Sequence, residues 1–177
     1  MRYFEAGALV RSEDKNHIVS DPFRNPSHFV PTALAPVGTV FDKAAVLEGL
    51  MPAPQLAGRL ELQAGDFFSG VPSGADTYLM KHIVHDWHDQ ACLTILGHIR
   101  RAMAPQARLL ILEPVIPPGN APFPGKLLDL NMLVMTEGGR ERTAEQYEQL
   151  LAAGGFRLER IVPTAAAISV VEARAAG

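Results

Sequence analysis

The chain predicts an α/β fold, a mostly parallel sheet with helices on both faces, and three observations carry that reading. From Val37 onward, short strand-forming runs alternate with stretches of helical period. Ala107–Leu112 is almost continuously apolar, as a strand buried on both faces should be. Several apolar runs end in a carboxylate or a cation, the pattern of a ligand edge beyond the carboxyl ends of parallel strands.

The elements follow in order. Val37-Gly-Thr-Val-Phe-Asp42 reads as a strand, and Lys43 to Leu50 as a short helix. Arg59-Leu-Glu-Leu-Gln-Ala64 alternates at period two, and Ala75–Met80 is the next strand. Asp89 is the expected N-cap of a helix whose apolar positions Cys92, Ile95, Leu96, Ile99 and Met103 share one face. Arg100 and Arg101 suit its last turn, and Pro105 stops it. Leu127–Met135 is apolar almost all round, which suits burial against a partner surface, so self-association there is expected. Thr143 with Gln146 forms a capping box for a helix ending at Gly154-Gly155. Strands near Phe156–Val162 and Ile168–Ala173 close the sheet.

Residues 1–36 read differently, as an irregular N-terminal segment before a domain spanning 37–177. Charges cluster at Arg11-Ser-Glu-Asp-Lys15, and prolines at 22, 26, 31 and 36 interrupt any long element.

Composition narrows the function classes. With 177 residues, 47% apolar and 20% charged, the chain is an ordinary globular one. A net charge of −3 gives no electrostatic case for nucleic acid or an anionic membrane as partner. Cys92 is the lone cysteine, so no disulfide framework forms within one chain. Neither a signal peptide nor a membrane span is recognisable, and the expectation is a cytoplasmic protein.

The richest segment is Tyr78-Leu-Met-Lys-His-Ile-Val-His-Asp-Trp-His-Asp89. It joins Asp42, Asp66 and Glu113 as chemistry placed after a strand, and a parallel sheet brings such ends to one edge. Asp42 suits a ribose diol, whose two hydroxyls one carboxylate can accept. Asp66 can accept from an adenine amino group while Phe67 packs on the purine. His85 has the side-chain type that takes and releases a proton near neutrality, and Glu113 is placed to hold its other nitrogen. His82, His85 and His88 also invite a metal reading. On a helix, however, their spacing turns each ring about 60° from the last, so three ligands converge poorly.

The motifs Asp42, Gly65-Asp66-Phe67-Phe68, Lys81-His-Ile-Val-His85-Asp86-Trp87, Leu112-Glu113-Pro114 and Gly138-Gly-Arg-Glu-Arg-Thr143 fall in order. Together they resemble the S-adenosylmethionine-dependent small-molecule O-methyltransferases of the caffeic acid and flavonoid type, with their bacterial relatives, from about Gly38 to Glu172. The resemblance implies a Rossmann-like methyltransferase sheet, with 37–177 a partial catalytic domain. It implies S-adenosylmethionine as cofactor, held by Asp42, Asp66, Phe67 and Lys81, and no metal. It implies His85 as the base that deprotonates a hydroxylated aromatic or polyketide-like acceptor, with Glu113 and Glu141 flanking it. Asp86 and Met132 fall at acceptor-lining positions.

Two departures accompany the resemblance. Residues 1–36 do not resemble the helical dimerisation domain that precedes the catalytic domain in such enzymes. No G-x-G occurs in the chain, so the glycine-rich loop after the family's first strand is absent and that central slot needs another occupant. Only residues 4–10 and 28–34 are candidates for a substitute strand. The alternative function is therefore a non-catalytic descendant that has lost cofactor binding.

Overall fold

The structure, a computed structural model, describes residues 6–11, 37–48, 50–52 and 54–177. Its strands are β1 (Ala6–Arg11), β2 (Val37–Asp42), β3 (Leu60–Ala64), β4 (Thr77–Lys81), β5 (Arg108–Glu113), β6 (Val115–Ile116), β7 (Arg142–Thr143), β8 (Phe156–Pro163) and β9 (Ser169–Ala175). Its α-helices are α1 (Ala44–Leu47), α2 (Asp89–Ala102), α3 (Pro124–Met135) and α4 (Ala144–Ala153). Seven strands form one sheet in the order β3-β2-β1-β4-β5-β9-β8, and β6 pairs with β7 apart from it. β2 with β3 and β4 with β5 are parallel pairs, whereas β1 and β9 run against both of their neighbours. The other five strands share one direction, so this α/β sheet is mixed.

β1 is the unexpected element. It lies inside the segment expected to be irregular and overlaps residues 4–10, one of the two candidate substitutes; residues 28–34 lie outside the described residues. Its register runs from Ala6 opposite Lys81 to Val10 opposite Thr77 on one side, and from Gly7 opposite Phe41 to Arg11 opposite Val37 on the other. A central slot left empty would expose unpaired backbone on both neighbours. β1 fills it, but reversed.

The core lies around β4, β5 and β9, where Tyr78, Met80, Leu109, Ile111, Val171 and Ala173 are buried. α2 packs Cys92, Ile95, Leu96 and Ile99 into it, the face its period predicts, and α4 adds Tyr147, Leu150 and Leu151. One local expectation is corrected. His88, not Asp89, caps α2, its imidazole accepting from the Ala91 N–H. α3 buries Met132 but leaves Leu127, Leu130, Leu133, Val134 and Met135 exposed, because its other faces meet no partner within the described chain.

Candidate active site

The carboxyl ends of β2, β4 and β5 carry Asp42, Lys81 and Glu113 to one edge. Immediately after β4 the backbone kinks. His82 adopts φ +54, the left-handed region few non-glycine residues enter, and Ile83 returns to the right-handed helical region. This alternation turns successive N–H groups inward, making a backbone nest for an anion. The anion is Glu113: its Oε1 accepts from the N–H groups of Ile83 (3.0 Å), Val84 (2.6 Å) and His85 (3.3 Å). Its Oε2 accepts from the Tyr147 hydroxyl at 2.6 Å. Burial raises the Glu113 pKa, against the lowering influence of His85 and of the Tyr147 hydrogen bond.

A short 3₁₀ turn, Val84–Asp86, then presents His85, which is buried. Its Nδ1 lies 2.7 Å from Glu141 Oε1. A carboxylate only accepts, so Nδ1 carries the hydrogen and the lone pair falls on Nε2. Asp86 Oδ1 stands 3.5 Å from that Nε2. Burial lowers the His85 pKa, but the Glu141 hydrogen bond and the charges of Glu113, Glu141 and Asp86 outweigh it, so the net shift is upward. Beside it, His82 lies with its ring centroid 4.9 Å away. Burial, with the nearby charges of His85 and Lys81, brings the His82 pKa down to about 4, so His82 adds no second positive charge at neutral pH.

The Gly138-Gly-Arg-Glu-Arg-Thr143 run is built around this turn. Gly138 sits at φ +86, and a Cβ on Gly139 would overlap the His85 carbonyl oxygen. The Glu141 N–H donates to Asp129 Oδ1 at 2.8 Å, tying the run to α3. Arg142 is fully buried and donates to the carbonyls of Val84 (2.8 Å) and Trp87 (3.0 Å) and to Asp89 Oδ1 (2.7 Å). Thr143 and Gln146 form the capping box of α4.

On the β2–β3 side the groups are less engaged. Asp42 Oδ1 accepts from the next residue's N–H at 2.7 Å. Its Oδ2 is buried with no hydrogen-bond partner among the described residues, and burial raises its pKa against the pull of Lys43. Exposed Asp66 accepts from the Phe68 N–H at 2.8 Å. Phe67, Phe68 and Trp87 form an aromatic cluster, with centroids 5.0 Å (Phe67–Phe68), 6.3 Å (Phe67–Trp87) and 4.7 Å (Phe68–Trp87) apart.

A buried histidine paired with a buried glutamate is an arrangement able to pass a proton, and known proteins share the frame that carries it. Residues 34–157 match the O-methyltransferase domain family model. The chain belongs to the O-methyltransferase domain family. It is 46% identical over 140 residues to the phenazine O-methyltransferase PhzM of Lysobacter antibioticus, covering 77% of this chain and 41% of that protein. It is 39% identical over 146 residues to the mitomycin biosynthesis 6-O-methyltransferase of Streptomyces lavendulae, covering 78% and 40%. Among solved structures, the calicheamicin methyltransferase CalO1 with bound S-adenosylhomocysteine superposes at TM-score 0.73 with 36% identity, over 78% of this chain and 41% of that one. This member of the O-methyltransferase domain family thus spans about two fifths of the length of the relatives it matches.

Several expected arrangements change. Glu141, not Glu113, holds the imidazole; Glu113 reaches His85 through its backbone N–H. Lys81 ends a strand, and the kink at His82 separates it from the turn that carries His85. The three histidines do not form one group of ligand-type atoms among the described residues: His82 lies at the kink, His85 in a 3₁₀ turn, and His88 caps α2. One group, His85, Glu113 and Glu141, does place ligand-type atoms within 4.8 Å of one another. Both Glu113 oxygens already accept hydrogen bonds and Glu141 Oε1 holds His85, whereas the buried Glu141 Oε2 has no hydrogen-bond partner among the described residues. Gly139, Asp129, Arg142 and Tyr147 were not among the expected site residues. The signal for Gly139 and Arg142 lay inside the same motif that yielded Glu141.

Proposed function

We propose that this chain is the catalytic part of an S-adenosylmethionine-dependent O-methyltransferase, with His85 removing the proton of an acceptor hydroxyl. The observation that carries the reading is the buried His85–Glu141 pair, which leaves Nε2 as the basic nitrogen at the strand-end edge. A phenol with pKa near ~10 is mostly neutral at pH 7, and a positioned base contributes roughly 10²–10⁴-fold. Glu141 holds the tautomer before transfer and stabilises the imidazolium after it. Asp86 and Met132 belong to the acceptor side. Because a phenazine O-methyltransferase is a relative, a hydroxylated fused-ring arene is the acceptor class to try first.

The fit to the cofactor divides. The unpartnered, buried Asp42 Oδ2 suits a ribose hydroxyl, and Asp66 with Phe67 suits an adenine. Lys81 is assigned to the methionine end, but no glycine-rich turn among the described residues lines it, and β1 brings its amino end to this edge. When bound, the cofactor supplies a methyl group already activated on a cationic sulfur.

That reversed β1 favours a second reading, a chain that keeps the base yet cannot hold the methionine portion. Calorimetry with adenosine and with S-adenosylhomocysteine separates the two, alongside methyl transfer to a hydroxyphenazine. Product formation, with S-adenosylhomocysteine binding at least about tenfold tighter than adenosine, supports the first. Equal affinities and no product overturn it in favour of the second.

A further inference from the structure

We propose that Arg142 is a positioning residue for His85, clamping the carbonyls of the turn that carries the imidazole while Glu113 clamps its N–H groups. This rests on the reading of His85 as the base. The guanidinium is wholly buried, although the one carboxylate it meets, Asp89, has a side chain 48% exposed. A buried cation is retained only where its donors are used. Here all three nitrogens are engaged: Nη1 donates to the carbonyls of Val84 (2.8 Å) and Arg140 (3.3 Å). Nη2 donates to the Trp87 carbonyl (3.0 Å), Asp89 Oδ1 (2.7 Å) and Cys92 Sγ (3.6 Å), and Nε to Asp89 Oδ1 (3.3 Å). No nitrogen is left for a ligand, so its work lies within the protein.

The geometry says what that work is. Val84 and Trp87 flank His85, so Arg142 grips the turn on both sides of the base. Glu113 takes the N–H groups of Ile83, Val84 and His85 from the same segment. One turn is thereby held by a cation on its carbonyls and an anion on its amides. The ring is set by Glu141, the residue just before Arg142, so one stretch of chain supplies both the imidazole's partner and the grip on its backbone. A loosened grip would shift the ring against Glu141.

Amide hydrogen exchange and the His85 imidazole titration, both by NMR on the full chain, test this. Arg142→Lys keeps the charge but loses the planar fork. Exchange at Val84 and His85 should quicken about tenfold or more, and the His85 pKa should drop toward its ordinary value. A folded Arg142→Lys with both readouts unchanged overturns the proposal. If that variant does not fold, Asp89→Ala decides: severalfold faster exchange at the same amides supports the clamp, and no change overturns it. Arg140→Ala removes the other partner of the same carboxylate and should move neither readout; an equal effect there also overturns the clamp. Both measurements need neither cofactor nor acceptor. An inactive parent chain therefore counts against methyl transfer and not against the clamp.

Discussion

The two sides of the strand-end edge are built on different principles. Around β4 and β5, side chains are buried and tied across long stretches of sequence: Glu113 to Val84 over 29 residues, His85 to Glu141 over 56, Arg142 to Val84 over 58. Around β2 and β3, Asp42 bonds the next residue and Asp66 the one two along. The proposed base is held by tertiary structure, while the proposed nucleoside positions are satisfied only locally. Folding therefore ties the first side across the chain, and leaves the second side's carboxylates with only local partners.

The sharpest way to break this contrast is at the base. His85→Gln should lower turnover by about 10²-fold or more with cofactor affinity little changed, as initial rates and calorimetry on the same preparation would read. An equal fall in His82→Gln would move the base assignment. Gly139→Ala tests the preorganisation itself, since the new methyl overlaps the His85 carbonyl. It should destabilise by roughly 1–3 kcal/mol in urea and reduce activity beyond what the loss of folded protein explains.

The other half should respond in binding alone. Asp42→Ala should weaken S-adenosylhomocysteine binding by roughly tenfold or more and leave the His85 titration in place. Unchanged affinity would remove Asp42 from the nucleoside site. On α3, Leu130→Glu with Leu133→Glu should reduce concentration-dependent association in light scattering, because both side chains are exposed on an otherwise apolar helix. The smallest effect concerns pH. His85 binds its proton more tightly folded than unfolded, so the stability it adds is full below ~6.5 and is lost as pH rises through its folded pKa. His82 does the reverse: with a folded pKa of about 4, stability is lost as pH falls from ~6.5 toward that value. The melting temperature should peak between these limbs, and His82→Gln should flatten the acid one.

Much of this arrangement was legible in the residues. The period of α2 and the capping box of α4 are local signals, and the structure keeps both. The motifs named His85 and Glu141, and the structure brings them together. Glu113 was assigned to the wrong atoms because nothing in the sequence announces that His82 enters the left-handed region and turns three N–H groups toward one carboxylate. Arg142 was passed over since arginine is rarely interior, and only the folded turn supplies the carbonyls that make burial tolerable. α3 read as a helix in need of a partner surface because apolar residues encircle it, and its exposed face agrees with that part of the reading.

β1 separates two demands that a central strand usually meets together. Hydrogen-bonding neighbours ask only for a row of donors and acceptors at the right pitch, and a strand of either polarity answers them. A ligand at the edge asks for more, because direction decides which chain end, and hence which loop, arrives there. With Ala6 beside Lys81 and Val10 beside Thr77, the ladder is closed while the vector is inverted. Closing the ladder and shaping the edge for a ligand are thus separate requirements, and integrity of the fold alone does not report competence at the site.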